Sequence, residues 1–403
     1  MATPIREPAV NVVERNQPRR SLVFYPPDKP VEEIRAEVCA NLKLTALDAC
    51  ELLSRDTPPR ITHEHMVLLH HLRVGVFCQP REVLEEHFDA ESIVSDVPLF
   101  LPRSIETVHS PKLAEPRFAD EPAQTWGRQA VHAPDGEPSG RDVKVCIVDT
   151  GLQLKHPDFR NRTDIVKQGF TLSGVVNDSN GHGTHCAGII CGPSAPASGM
   201  PRYGVAPDVK LFVANIFGGA LETSAALVFQ AVEWAVSQGC DIVSLSLQRP
   251  VDDRGEPHFK RDLEKLEDLA RRALDGGTIL VACTGNSSNR GGGVITEAAY
   301  PARCPSVLAV GGVDRHLNVM NRSNSGAEVF GPGEDVLSAW TAPPGTRRLS
   351  GTSMAAAYVS GIAALHCEAT GLRGARLLQQ LRNGPGPWIK PSPGEPAARL
   401  VSA

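Results

Sequence analysis

The 403-residue sequence has no long apolar run. A helix that crosses a bilayer needs about 20 consecutive apolar residues, and no segment approaches that length. Residues 1–20 (MATPIREPAVNVVERNQPRR) also lack the apolar core of a secretory signal peptide, and the acidic Glu7 and Glu14 argue against an organelle transit peptide. The sequence therefore predicts a cytoplasmic protein without a membrane partner.

An excess of basic charge and a paired-cysteine pattern are absent as well. Lys and Arg total 41 against 46 Asp and Glu, and no basic patch stands out, so a nucleic-acid partner is not expected. The ten cysteines are irregularly spaced without a CxxC pair, unlike the ligands of a metal cluster. Cys146, Cys240 and Cys283 lie in or beside apolar runs, where a free thiol packs as a small hydrophobic group. We expect reduced cysteines.

The chain is longer than a single core usually organises, which predicts a small domain beside a large one. Residues 1–20 are polar and contain proline, so we expect a disordered leader. Residues 21–105 carry the pattern β-α-β-α-β, which is compatible with a small ferredoxin-like α+β domain. The predicted elements are a strand at 21–25, a helix at 31–44, an apolar strand-rich segment at 66–78, a helix at 80–89 and an extended segment at 92–101.

Residues 106–140 are rich in Pro, Asp, Glu and Gly and have no periodicity, which indicates a linker and an entry segment. In residues 141–383 apolar strands alternate with helices, so we expect an α/β domain with a parallel sheet between two helical layers. The strands are predicted at 144–150, 209–217, 240–247, 278–284 and 306–313, and helices at 221–238 and 262–274. The Pro/Gly-rich tail, residues 384–403, is expected to wrap loosely around the domain.

Three short motifs carry residues suited to nucleophilic catalysis. Asp149 ends the strand pattern KVCIVD, His182 lies in NGHGTH, and Ser353 lies in GTSMA at the start of a small-residue helix. The first turn of a helix favours a developing negative charge, although most serines there are ordinary helix caps. Together Asp, His and Ser are the orienting group, base and nucleophile of one catalytic system.

With these motifs in the order Asp149, His182, Ser353, the chain resembles the subtilisin-like serine proteases over roughly residues 120–370. The resemblance implies a three-layer subtilisin-like fold and peptide hydrolysis through an acyl-enzyme on Ser353. The residues alone leave open that His185 is the base, or that His182 and His185 bind zinc, although no third ligand is patterned with them. In the resembled family the first histidine of HGTH is the catalytic one, which favours His182.

The resemblance also implies residues that bind substrate. Asn286, in TGN, would donate to the oxyanion together with the Ser353 backbone N–H, whereas a Gly-Asn pair by itself indicates a solvated turn. An extended substrate would pair with a strand of this chain, as in recognition by strand addition. The implied substrate-binding residues are Ser246, Leu247, Gln248 and Gly285.

Some positions depart from the family pattern. The family commonly has Gly where Gln248 stands, so this side chain narrows or polarises the cleft, and Ala299 at the pocket floor suggests a medium-sized apolar preference. Ala356-Ala357-Tyr358 replaces Ser-Pro-His, which either relaxes the helix start or is a neutral packing change. Cys186 makes HGTHC similar to the proteinase K branch, and its thiol is expected to pack near His182.

The expected chemistry requires no cofactor. Asp158 matches a calcium ligand of the family, so a structural calcium ion is the one addition that the resemblance suggests. Calcium takes six or more oxygen ligands, and the loop at 192–203 (GPSAPASGMPRY) lacks the Asn and Asp side chains that would supply them.

The sequence as a whole predicts a serine endopeptidase that acts on proteins or peptides. By position, residues 21–105 match the family's propeptides, so this domain is expected to inhibit the site intramolecularly until self-cleavage between Arg103 and Ala123. Three alternatives remain: a peptide ligase or macrocyclase of the same fold, a latent protease that acts as a binding module, and an unrelated N-terminal domain.

Overall fold

The computed structural model describes residues 20–49, 52, 64–102, 104–106, 115–171, 174–197, 199–249, 259–341, 343, 345–389, 391 and 395–403. Nearly all of the predicted leader, at residues 1–19, and part of the predicted linker, at residues 107–114, lie outside this set. Among the described residues, no helix combines the length and apolar character needed to cross a membrane.

A five-stranded sheet forms the N-terminal part of the chain. Its elements are β1 (Ser21–Phe24), α1 (Val31–Leu42), β2 (Thr45–Asp48), β3 (His65–Leu69), β4 (Val74–Phe77), α2 (Arg81–Leu84) and β5 (Ile93–Ser95). The strand order is β2-β3-β4-β1-β5, with β1 antiparallel to both β4 and β5. Helix α1 buries Ile34 and Val38 against one face of this sheet.

The helix expected at 80–89 is only the single turn α2. The Arg81 guanidinium donates to the carbonyls of Ala90 (2.7 Å) and Ile93 (2.7 Å), which draws the following chain back toward the helix start. Asp89 then caps a short 3-10 turn at Ala90–Ser92, and regular α-helix does not continue.

After β5 the chain runs through β6 (Pro98–Phe100), β7 (Ile105–Glu106) and α3 (Trp126–Ala130) into the large domain. The part of the predicted entry segment that the structure describes is firmly packed. Trp126 is buried, and its backbone N–H donates to Asp120 Oδ1 at 2.7 Å. The fully buried Arg128 donates to the carbonyls of Gly204 and Pro134.

The large domain is built on a nine-stranded sheet. Its elements in chain order are β8 (Lys144–Asp149), β9 (Val166–Gly169), α4 (His182–Cys191), β10 (Lys210–Asn215), β11 (Glu222–Ser224), α5 (Ala225–Ser237), β12 (Ile242–Leu245), α6 (Phe259–Asp275), β13 (Ile279–Cys283), β14 (Val307–Val313), β15 (Val329–Pro332), β16 (Val336–Ala339), β17 (Thr346–Ser350), α7 (Thr352–Thr370), α8 (Gly374–Asn383), β18 (Trp388–Ile389) and β19 (Ala398–Leu400). The sheet order is β18-β19-β15-β14-β13-β12-β8-β10-β9, and its pairings are parallel except for β18 with β19.

The predicted α/β class with a mostly parallel central sheet is confirmed. Every residue of β13 and β14 is buried, as expected for a sheet covered on both faces. Helices α4, α7 and α8 pack on one face, and α5 and α6 on the other. The predicted helix at 221–238 begins later, at Ala225, because Ser224 caps it (Leu227 N–H to Ser224 Oγ, 3.4 Å).

The central helix α7 is buried from Thr352 to Leu365 because its residues are mostly small. A Cβ on Gly361 would lie 2.8 Å from the Val205 side chain, so this glycine permits close packing. The helix ends at Gly371, whose φ of +69° is the left-handed conformation that glycine adopts most readily.

One apolar cluster joins the N-terminal sheet to helices α5 and α6. Phe24 meets Phe229 edge to face with ring centroids 5.8 Å apart, and Leu72 and Val74 belong to the same cluster as Leu269. The two parts of the chain therefore share a continuous buried contact.

The tail at 384–403 does not form the expected loose wrap, as β18 and β19 extend the central sheet. Ile389 and Leu400 are buried in the main core, and the Ala403 N–H donates to the Val131 carbonyl at 3.0 Å. The Pro/Gly-rich composition conceals the short apolar pattern of Ala398–Leu400, which is enough to pair with β15.

Candidate active site

The three motif residues lie where regular elements begin or end. Asp149 is the last residue of β8, His182 is the first residue of α4, and Ser353 is the second residue of α7. Polar groups beyond the carboxyl ends of parallel strands commonly form sites. All three side chains are buried, with relative exposures of 2%, 4% and 0%.

Asp149 and His182 form a direct pair. The Nδ1 atom of His182 lies 2.8 Å from Asp149 Oδ1 and 3.0 Å from Oδ2. The carboxylate therefore holds the proton on Nδ1 and leaves Nε2 as the acceptor. Burial lowers the pKa of His182, but the Asp149 charge, the Cys186 thiol and their hydrogen bonds outweigh it and raise the pKa well above 6.5.

Two buried atoms of this site lack a hydrogen-bond partner among the described residues, namely His182 Nε2 and Ser353 Oγ. Ser246 connects the two sides of the site, because its Oγ donates to the Ser353 carbonyl (3.3 Å) and lies 3.7 Å from Cys186 Sγ. The base nitrogen and the hydroxyl are therefore not hydrogen-bonded to each other in this structure, and no other described residue occupies either atom.

Asp178 secures the start of α4, and the sequence analysis missed it. Its Oδ1 accepts from the Gly181 N–H (2.8 Å), and its Oδ2 accepts from the N–H (2.9 Å) and hydroxyl (2.6 Å) of Thr184. The signal was available, because an acidic residue shortly before a helix start is a capping pattern. By holding the first turn, Asp178 positions His182.

His185 has a different environment from His182. Its Nε2–H donates to the carbonyls of Val336 (3.2 Å) and Arg347 (3.0 Å), which fastens α4 to the hairpin formed by β16 and β17. Burial lowers the pKa of His185 to about 3, so the ring is neutral near pH 7.

Asn286 follows β13 and is buried, unlike a solvated turn residue. Its Oδ1 accepts from the N–H (2.9 Å) and the hydroxyl (3.0 Å) of Thr352. The Nδ2 end faces Gly351, where a Cβ would lie 3.1 Å from it. The amide N–H₂ is therefore turned toward the start of the helix that carries Ser353.

The other predicted substrate-binding residues lie on neighbouring segments. The Leu247 side chain is fully buried in the core, while the Gln248 backbone faces the N-terminal segment. Gly285 has a φ of +105°, and a Cβ there would lie 2.5 Å from Gln248 Oε1. Ala299 donates its N–H to the Thr284 carbonyl beside this glycine.

The N-terminal segment pairs with the large domain on both sides of Ser353. Strand β6 is antiparallel to β11, and the backbones of Phe100 and Gln248 exchange two hydrogen bonds of 2.8 Å. Strand β7 is antiparallel to β17. Between them, Ser104 Oγ lies 3.0 Å from the Cβ position of Gly351.

Cys186 approaches the Asp–His pair, with its Sγ 4.0 Å from His182 Nδ1. The ligand atoms of Asp149, His182 and Cys186 all lie within 4.8 Å of one another, so a soft metal ion would find three donors here. Burial raises the pKa of Cys186, which keeps the sulfur in its thiol form near pH 7. The nine cysteines in the described part of the chain are free, and eight of them are buried.

The surroundings of Asp158 do not fit a calcium ion. Its Oδ1 accepts from the Ala197 N–H at 2.6 Å, and its Oδ2 accepts from the Tyr203 hydroxyl. Both carboxylate oxygens therefore already accept hydrogen bonds from protein donors, whereas calcium is coordinated by oxygen lone pairs.

Comparison with known proteins agrees with this architecture. The model of the subtilase family (peptidase S8) matches residues 140–380, and the chain belongs to this family. It is 34% identical over 235 residues to the major intracellular serine protease of Bacillus subtilis (strain 168), covering 56% of this chain and 68% of that protein. It is 35% identical over 230 residues to subtilisin DY of Bacillus licheniformis, covering 56% of this chain and 77% of that protein.

A solved structure, that of a cold adapted subtilisin-like serine proteinase, superimposes with a TM-score of 0.55 at 25% identity, covering 69% of this chain and 98% of that chain. The protein is accordingly a subtilisin-like serine endopeptidase that acts on protein or peptide substrates.

Proposed function

We propose that this protease is made as a latent precursor, whose N-terminal domain blocks the active site until the chain cleaves itself. The observation that carries this proposal is the path of the segment from Pro98 to Glu106. Its residues Pro98–Phe100 pair with β11 and Gln248, and Ile105–Glu106 pair with β17, the strand that leads into the helix carrying Ser353. A substrate that adds a strand to this site would need the same backbone groups.

In the proposed mechanism Ser353 is the nucleophile and His182 the base. Nε2 of His182 takes the hydroxyl proton as Oγ attacks the peptide carbonyl, and later returns it to the leaving amine. Asp149 holds the Nδ1–H tautomer and stabilises the imidazolium. The Asn286 amide and the Ser353 backbone N–H, at the first turn of α7, stabilise the oxyanion. Water then releases the acyl group.

The proposed substrate site is the strand that the N-terminal segment now pairs with. The Gln248 backbone binds the extended substrate chain, and Gly285 accommodates the Gln248 side chain, since a Cβ there would lie 2.5 Å from Oε1. Ser246 holds the Ser353 carbonyl, and the buried Leu247 anchors the strand in the core.

Two polar clamps and the shared apolar cluster support a tightly bound inhibitory domain. The fully buried Glu233 of α5 accepts from the backbone N–H groups of His71 (2.8 Å) and Leu72 (3.0 Å). Arg272 of α6 donates to the carbonyls of Leu72 (2.5 Å) and Tyr25 (3.0 Å). A bound domain of this kind also lowers the loop-closure entropy that a parallel sheet must overcome when it folds.

We place the self-cleavage between Arg103 and Ala123, so that the mature chain begins before Trp126. The entry segment is held near its end, since Asp120 accepts from the Trp126 N–H and pairs with Arg315 and Arg348. Cleavage in the part of this range that precedes Asp120 would keep the anchor in the mature chain.

The proposed location is the cytoplasm. Two relatives are named as intracellular serine proteases, from Bacillus subtilis and Paenibacillus polymyxa. Free buried cysteines are compatible with a reducing compartment. A structural calcium ion forms no part of the proposal.

The experiment compares the intact masses of the wild type and the Ser353→Ala variant, expressed side by side. We expect two fragments from the wild type and one intact chain from the variant. An active wild type that remains a single chain would contradict the propeptide assignment, and products without added water would indicate a ligase.

A further inference from the structure

The Gln248 side chain carries a buried polar atom that the protein leaves without a partner. Gln248 is 8% exposed, and its Oε1 has no hydrogen bond among the described residues. This oxygen lies against Gly285, where a Cβ would approach it to 2.5 Å. A buried carbonyl oxygen without a donor is costly, so its presence calls for a reason.

The neighbouring amide does not supply the missing donor. Asn324 Nδ2 lies 2.7 Å from the same Cβ position on Gly285, so it is a neighbour of Gln248 Oε1. Its two hydrogens are already directed to the carbonyls of Thr284 (3.1 Å) and Glu297 (3.2 Å). A hydrogen-bond donor for Gln248 Oε1 therefore has to come from a group other than Asn324, such as a bound substrate.

The position of this oxygen relative to a bound chain follows from the N-terminal segment. Phe100 lies opposite Gln248, and four residues later Ser104 lies beside Gly351, the residue that precedes the helix carrying Ser353. In the proposed mechanism the residue before the attacked bond lies between the Gln248 strand and Asn286. The Gln248 side chain, which packs on Gly285, borders that position.

We propose that Gln248 sets the substrate preference at the residue immediately before the cleaved bond. Its Oε1 accepts a hydrogen bond from an N–H on that side chain, so the enzyme prefers Asn, Gln or Lys there over apolar residues of the same size. The inference rests on the proposed catalytic function, and it differs from the apolar preference suggested by Ala299.

The test uses matched peptides that differ only at the residue before the cleaved bond, in the pairs Asn/Leu, Gln/Met and Lys/norleucine. The kcat/KM of the mature enzyme is measured for each, after titration of active Ser353 with a fluorophosphonate. We expect the donor-bearing member of each pair to be preferred about tenfold, the effect of one hydrogen bond worth about 1.4 kcal/mol.

Two variants at the same position supply the controls. Gln248→Met keeps the side-chain length but removes the acceptor, so the preference for Asn over Leu should fall to one or below. Gln248→Glu keeps an acceptor and adds a charge, so the preference should survive and increase for Lys.

The outcomes separate the two proposals. The inference would be overturned if the enzyme cleaved all peptides but favoured Leu over Asn and Met over Gln. It would also be overturned if the kcat/KM ratios of the pairs were equal in the wild type and Gln248→Met. Either result would leave the protease function in place. Failure to cleave any peptide by protein that the fluorophosphonate labels would overturn both.

Discussion

The backbones of Phe100 and Gln248, 148 positions apart in the chain, exchange two hydrogen bonds of 2.8 Å. This antiparallel pairing is the one that an extended peptide substrate would make with the same strand. In the proposed precursor, the Phe100 N–H and carbonyl therefore occupy the backbone groups that would bind substrate.

The first prediction concerns His182 as the base. It acts only when neutral, and its pKa is raised well above 6.5, so kcat/KM on peptide esters should rise through one ionisation on the alkaline side of 6.5. His182→Ala should lower kcat/KM about a thousandfold or more. A pH profile of the mature enzyme checks the first point, and full turnover by a folded His182→Ala protein would refute the assignment.

The second prediction concerns stability in acid, through His185. Its pKa is about 3 in the folded protein against an ordinary value of 6.5, so the unfolded chain binds a proton that the folded chain does not. Stability should therefore fall as the pH drops below about 6.5, and this loss should level off near pH 3.

The measurement is the melting temperature of the Ser353→Ala precursor as a function of pH. In His185→Gln an amide can still donate to the Val336 or Arg347 carbonyl but does not titrate. This variant should lose part of the acid slope, whereas an unchanged slope would assign the acid sensitivity to other groups.

The third prediction concerns Cys186. Because its sulfur lies 4.0 Å from His182 Nδ1, a bulky mercurial bound there should block the site although the proposed nucleophile is Ser353. Cys186→Ala should still react with a fluorophosphonate and should resist mercurials. Cys191→Ala, a buried thiol at the far end of the same helix, is the matched control and should stay sensitive. Sensitivity that persists in Cys186→Ala would place the responsive thiol elsewhere.

The fourth prediction concerns the clamps on the N-terminal domain. Glu233→Ala and Arg272→Ala each remove hydrogen bonds of a charged group to its backbone, so the cleaved domain should dissociate about tenfold or more faster. Gel filtration and the lag before peptide hydrolysis report this release. Arg271→Ala removes a more exposed charge on the same helix and should behave like the wild type. Equal lags in all four proteins would exclude a role for the clamps.

Local sequence patterns were sufficient to predict many of the strands and helices of this protein. The strands that became β8 and β13 are continuous apolar runs, and the helix that carries Ser353 begins directly after Gly351, so each is visible in a short window of sequence. Asp149, His182 and Ser353 were recognisable because the three short motifs that carry them occur in the order of the subtilisin-like family. Asp178 was missed although its capping position was equally local.

Other features depend on contacts between distant parts of the chain. Residues 398–400 became a sheet strand because β15 offered a free edge, which no property of the tail itself reveals. Likewise, nothing in the sequence around Gln248 distinguishes it from an ordinary polar residue. Its environment is created by Gly285 and by the paired Phe100, which are distant in sequence. Sequence alone determined which residues could perform the chemistry. The tertiary structure decided what surrounds them, since burial and pairing arise only when separate segments meet.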